Sequence, residues 1–204
     1  MLYTVLLDNK SYLDPMFNSD QLDRLVGALN GETVANRIEL NNSPRSFAGV
    51  FSEPLQIDFP VFKKAKAKLL VPDIAVSEGR LFLNKKAYNA LKNLIKNDGE
   101  FIPATYSEGE AFIFTPLKVA EKIDALDLKL SKKNEFGDLE NLSFHEEKLK
   151  DWVVFRAEFN AFHTLQVTQA FVDAVKENDL KGLYITSNLG SVFAVDRSEV
   201  SKLN

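Results

Sequence analysis

Apolar residues along the chain form short continuous runs and a few helical stripes. Residues 2–7 (LYTVLL) are apolar and partly β-branched, which predicts a buried strand. Leu22, Leu25, Val26 and Leu29 recur at helical spacing within 19–29. Ser19 or Asp20 is placed to cap that helix, and Asn30-Gly31 to end it. The clearest helix pattern is 84–97, where Ala87, Tyr88, Leu91, Leu94 and Ile95 share one face and Lys85, Lys86, Lys92 and Lys96 lie off it. Asn84 is its expected N-cap and Asp98-Gly99 its stop. A further helix is expected over 168–178, with Phe171, Val172 and Val175 inward and Thr168 as cap.

Between these helices the pattern is that of strands. Residues 69–77 (LLVPDIAVS) are β-rich and broken by Pro72. The apolar segments 100–106 and 110–115 flank Ser-Glu-Gly and read as a hairpin. Strand character returns at 151–159, and 181–186 is expected to pair with 191–196 as a terminal hairpin. Residues 41–60 carry Pro44, Pro54 and Pro60, which predicts loops and short edge strands. Residues 131–150 are the most polar stretch, read as a long loop or an exposed insertion. No internal repeat is visible. Hairpins call for antiparallel pairing, so the expected class is α+β: a mostly antiparallel sheet packed against two or three helices. Residues 1–60 read either as an N-terminal strand-helix lobe, with its boundary in the Pro-rich 41–60 stretch, or as an integral part of the main α+β domain over 61–204.

Composition narrows the class of molecule. With 45% hydrophobic and 26% charged residues in 204, the chain has enough apolar surface to offset ordering entropy, which excludes a largely disordered protein. It lacks cysteine, which removes disulfide, thiolate and iron–sulfur chemistry. The net charge of −4 is the opposite of what a duplex-binding protein needs to neutralise phosphates, so no nucleic-acid partner is expected. The N-terminal apolar run ends at Asp8 without a basic region before it, and no stretch approaches the roughly 20 apolar residues that cross a bilayer. A cytoplasmic protein without a membrane partner is the expectation.

Candidate chemistry is sparse. The phosphate-binding, nucleophile-elbow and zinc-helix motifs are missing. His145-Glu146-Glu147 begins like a zinc helix, but Leu149 stands where the second histidine belongs. His145 and His163 lie 18 residues apart and make no metal pattern. Asp124 and Asp127 would converge only on a helix, and a lone D-x-x-D lacks further ligands. The expectation is therefore a protein without catalytic residues, metal or cofactor. A hydrolase using Asp124 and Asp127, or a small-molecule-binding module with a Phe-lined cavity, stands as the alternative.

Three surface features remain. Glu135, Asp138, Glu140, Glu146, Glu147 and Asp151 form an acidic stretch with Phe136, Phe144 and Trp152 among them, read either as a solvated loop with its aromatics tucked into the core or as an interface with a basic protein. Trp152, the only Trp, reads either as a core residue or as the aromatic anchor of that interface. Lys63, Lys64, Lys66 and Lys68 form an alternating basic run, read either as a phosphate contact or as a lysine-protected edge strand. The sixteen Phe residues read mainly as core.

PDIAVSEGR (72–80), the helix that follows and EFIPATY (100–106) together resemble a family of bacterial immunity proteins. That family was first catalogued as a domain of unknown function, was later tied to polymorphic toxin systems, and takes its name from a myxobacterial protein. Pro72, Asp73, Ser77, Glu78, Gly99, Phe101 and Pro103 occupy its motif positions. AFIFTPLKVAEKIDALD, ending at Asp127, and VTQAFVDAVKENDLKGLYI, with Gly182 at a glycine position, extend the resemblance over most of 70–186. Phe112, Phe114 and Thr115 depart from the family's Tyr, Leu and Asn. The resemblance implies a cytoplasmic protein that binds a cognate protein toxin and blocks it without catalysis. Under it, Asp73, Ser77, Asp127 and Gly182 are structural, and toxin specificity falls to variable surface such as the acidic stretch.

Overall fold

The computed structural model describes residues 1–28, 34–40, 42–61, 69–192 and 194. In chain order the strands are β1 (Leu2–Leu7), β2 (Met16–Phe17), β3 (Leu55–Asp58), β4 (Ile74–Ser77), β5 (Arg80–Asn84), β6 (Gly99–Tyr106), β7 (Gly109–Pro116), β8 (Lys132–Lys133), β9 (Leu139–Asn141), β10 (Val154–Phe155), β11 (Leu165–Thr168) and β12 (Leu183–Thr186). The helices are α1 (Ser19–Val26), α2 (Lys85–Ile95) and α3 (Gln169–Glu177). The fold is α+β. One sheet runs β10-β11-β1-β12, all antiparallel, and the other runs β2-β3-β6-β7-β5-β4, antiparallel except between β3 and β6. A separate hairpin pairs β8 with β9.

Residues 1–60 contribute strands to both sheets. β1 lies between β11 and β12, and β3 pairs with β6. The Pro-rich 41–60 stretch therefore does not divide two independent units. The expected 100–106/110–115 hairpin is present as β6–β7 in continuous register from Gly99↔Pro116 to Tyr106↔Gly109. Strand character at 151–159 is confined to the two residues of β10, because the chain turns away on either side. β12 pairs with β1 rather than with a following strand among the described residues. Residues 193 and 195–196 of the expected terminal hairpin lie outside those described, as do the basic run 63–68 and Asn30-Gly31.

Two parts of the chain share one plan, although the sequence shows no repeat. In β4–β5–α2–β6 and in β10–β11–α3–β12, a hairpin feeds a helix, and the helix returns to a strand parallel to the one it left. The strand that fills the gap is β7 in the first case and β1 in the second. The gap-filling strand comes from opposite ends of the two units, and the second hairpin has a much longer connection. Both features hide the correspondence from a linear reading.

Helix faces follow the apolar stripes. Ala87, Leu91 and Ile95 of α2 and Phe171, Val172 and Val175 of α3 are buried in one cluster with Val5, Leu81, Leu83, Phe114, Leu165 and Val167 from both sheets. Each large side chain removed from water there contributes about 1.5–3 kcal/mol. The opposite face of the six-stranded sheet is covered by Leu22 of α1 together with Ile38 and Phe47. The opposite face of the four-stranded sheet is covered by the excursion 117–152. Capping differs from expectation at α1, where Asn18 rather than Ser19 or Asp20 accepts the Gln21 N–H at 2.9 Å. Asn84 caps α2 through the Ala87 N–H, whereas Thr168 occupies the cap position of α3 without a side-chain bond.

The sheets are joined at Asp73. Its Oδ1 accepts from Asn84 Nδ2 at 2.8 Å, and its Oδ2 accepts from the Lys181 N–H at 3.0 Å and Lys86 Nζ at 3.1 Å. The N–H groups of Asp73 and Ile74 both donate to the Lys181 carbonyl. A Cβ on Gly182 would collide with the Ile74 carbonyl oxygen, and its φ of 126° is itself unfavourable for other residues.

Candidate partner interface

The excursion leaves β7 and is pinned at its start against the 154–157 segment. The Ala120 N–H donates to the Arg156 carbonyl, and the Arg156 N–H to the Lys118 carbonyl, both at 3.0 Å. A 3-10 turn over Ala120–Ile123 closes on Asp124, whose φ of 54° is left-handed. Asp127 then shapes the next turn, its Oδ1 accepting from the Lys129 N–H at 2.9 Å and the Leu130 N–H at 3.1 Å. The β8–β9 hairpin follows. Asn134 Oδ1 accepts the N–H groups of Phe136 and Asp138, each at 2.9 Å, and Gly137 takes a φ of 85°. This side-chain-to-backbone bonding is what lets Asn hold a tight turn. The result is an outward-facing tip with Phe136 82% exposed. Leu128 and Leu130, from the preceding turn, are also exposed.

All six carboxylates expected at the interface, Glu135, Asp138, Glu140, Glu146, Glu147 and Asp151, are solvent-exposed. Glu135, Asp138 and Glu140 belong to the hairpin. Glu146 and Glu147 sit on a 3-10 turn, where Glu146 pairs with the Met1 ammonium at 2.9 Å. Two of the three aromatics pack inward. Trp152 is half-buried, with its ring 6.0 Å from Phe155 and under Lys118 Nζ at 5.4 Å. Phe144 is buried edge-on against Phe155. Phe136 is the aromatic presented to solvent, and the Asn-x-Phe-Gly-Asp turn chemistry around it is the signal that marks it. The excursion 117–152 holds nine carboxylates and seven lysines, hence two of the chain's four net negative charges.

Two clefts flank the excursion. One of about 930 Å³ lies between the β8–β9 hairpin and residues 160–164, lined by Lys133, Asp138, Glu140, Asn160, His163 and Thr164 among others. The other, about 600 Å³ and shallow, is lined by Glu121, Asp124, Asp127, His145 and Lys148 with Leu126 and Leu128. Asp124 and Asp127 thus reach one groove, but from turns rather than from a helix, and Asp127 is held by the N–H groups of its own turn. The two histidines line different clefts.

Arg156 is fully buried, and its side chain closes with the Phe162 carbonyl on Gly79. Its Nε and Nη2 donate to the Pro116 carbonyl at 3.2 and 2.7 Å, and its Nη1 donates to the Asn42 carbonyl at 2.7 Å. Burial, and then the charge of Arg80, brings its pKa down to about 9. Burial likewise lowers that of Arg80 to about 10, against the opposing pull of Glu78, Glu100 and Glu39. Beside them the chain turns through left-handed Ala161 and Phe162, with φ of 53° and 62°. Gly79 has no room for a side chain because the Phe162 carbonyl and Arg156 fill that space.

The four motif positions all make structural contacts. Asp73 and Gly182 meet at the sheet junction described above. Ser77 Oγ donates to the Pro15 carbonyl at 3.1 Å, and Asp127 holds its turn. No described helix is long and apolar enough to cross a membrane. The sequence matches no family model, and no curated protein is similar to it.

Proposed function

We propose that this chain is a non-catalytic immunity protein that binds and neutralises a cognate protein toxin in the cytoplasm of the producing cell. The observation that carries the reading is Phe136, held 82% exposed on an ordered hairpin tip with carboxylates around it. A hairpin tip left to solvent favours small polar residues, whereas an anchor for a partner is a large aromatic with a charged surround. The structural contacts of Asp73, Ser77, Asp127 and Gly182 agree with the roles that the family resemblance implies for them. The test is capture from the native host under competition conditions with the tagged, folded chain as bait. A stoichiometric partner is expected whose C-terminal domain arrests growth when expressed alone and is relieved by co-expression of this chain. A partner without that toxicity, or no partner while candidate toxins are shown to be expressed, overturns the proposal.

A further inference from the structure

The larger cleft and the Phe136 tip are parts of one hairpin. Asp138 and Glu140 line the cleft, while Phe136 stands two residues before Asp138 on the outside of the turn. On the cleft's other side Asn160 is 7% exposed. Its Nδ2 donates to Thr164 Oγ1 at 2.6 Å, and its Oδ1 has no hydrogen-bonding partner among the described residues. The same Thr164 oxygen also accepts from Gln166 Nε2 at 2.8 Å. Asn160 Oδ1 is sealed beneath the cleft's surface, which leaves the Asp138 and Glu140 carboxylates as the acceptors that face the cleft. The cleft's own ammonium is turned aside, with Lys133 Nζ over the Phe159 ring at 4.9 Å. His163 faces Asn42 Nδ2 through its Nδ1, at 3.5 Å.

Resting on the immunity reading, we infer that the toxin presents a basic surface with an apolar socket: Phe136 enters the socket, and a lysine or arginine of the toxin enters the cleft between the hairpin and residues 160–164. Glu140 and Asp138, both exposed and both lining the cleft, supply the charge that receives it. The excess of carboxylate on the excursion is the complementarity that selects a basic partner over a neutral one.

The experiment uses the full chain and the growth-arresting partner it captures, comparing wild type with Phe136→Ser, Glu140→Lys and, as a control on α3, Lys176→Glu. Phe136 and Glu140 are exposed, so neither change disturbs the core. The expected result is at least about a 30-fold weaker affinity for Phe136→Ser and about tenfold for Glu140→Lys, with Lys176→Glu near wild type. Wild-type affinity should fall with added salt, and less steeply for Glu140→Lys. The Asn160 side-chain amide resonances should shift when partner binds. Wild-type affinity in both test variants, with unmoved Asn160 resonances, overturns this inference and leaves the immunity reading standing. A wild-type chain that captures no growth-arresting partner overturns both.

Discussion

Asp98 is an acid held almost out of water, 2% exposed at the end of α2. One oxygen, Oδ2, accepts the N–H groups of Val153 and Val154 at 2.8 and 3.1 Å, which ties α2 to β10. Burial pushes its carboxyl above the usual range, against the opposing effect of those two bonds and of Lys118. A carboxyl raised in the folded state contributes stability below its unfolded pKa and loses that contribution as pH climbs through the folded value. Asp98→Asn keeps an acceptor for both N–H groups and removes the titration. Asp98→Ala should therefore cost roughly 2–4 kcal/mol in urea unfolding by leaving two donors bare, and Asp98→Asn clearly less. The stability difference between wild type and Asp98→Asn should move in favour of wild type as pH falls from 7 to about 4. Gly182 offers a second test at this scale. Gly182→Ala sets a Cβ against the Ile74 carbonyl at a φ of 126°, and should destabilise by about 2–4 kcal/mol in the same assay.

Helices α2 and α3 occupy equivalent places in two units of one plan, yet they begin differently. Asn84 both caps α2 through the Ala87 N–H at 2.9 Å and donates to Asp73 at 2.8 Å. Thr168 makes no capping bond to α3. Asn84→Ala should accordingly lower stability by about 1–2 kcal/mol, while Thr168→Ala should cost under about 0.5 kcal/mol in the same thermal or urea measurement. The hairpin β8–β9 is an element of another kind. It is short and mostly exposed, and only Leu139 among its strand residues is buried. Its shape comes from Asn134 and Gly137 rather than from core packing, so its outward residues are free to vary without disturbing the sheets.

For the molecule as a whole, the sheets are interlocked by chain segments far apart in sequence. β1 fills the gap between β11 and β12, and β3 closes on β6. A fragment beginning at residue 61 would leave β11 and β12 without the strand that joins them and would expose the buried face around Leu165 and Val167. That fragment should show no cooperative unfolding transition by circular dichroism, whereas the full chain should show one. A sharp transition in the fragment would mean that the N-terminal residues are dispensable to the core.

Local pattern was enough for α2 and for the β6–β7 hairpin. The stripe at Ala87, Leu91 and Ile95 and the alternation in 99–116 each satisfy their own periodicity, and the structure realises both, because burial of a face is decided within a few turns of chain. The α+β class followed from the order of those elements, and the exposure of the six carboxylates of the acidic stretch from the cost of burying charge. What the chain order could not carry was pairing across long separations. Asp73 and Gly182 meet across more than a hundred residues, and β1 completes a unit whose other strands lie at the far end of the chain. The choice of Phe136 over Trp152 as the exposed aromatic also belongs to the tertiary structure. An aromatic ring goes wherever apolar neighbours are within reach: Phe155 is in reach of Trp152, whereas at the hairpin tip the described residues leave Phe136 82% exposed.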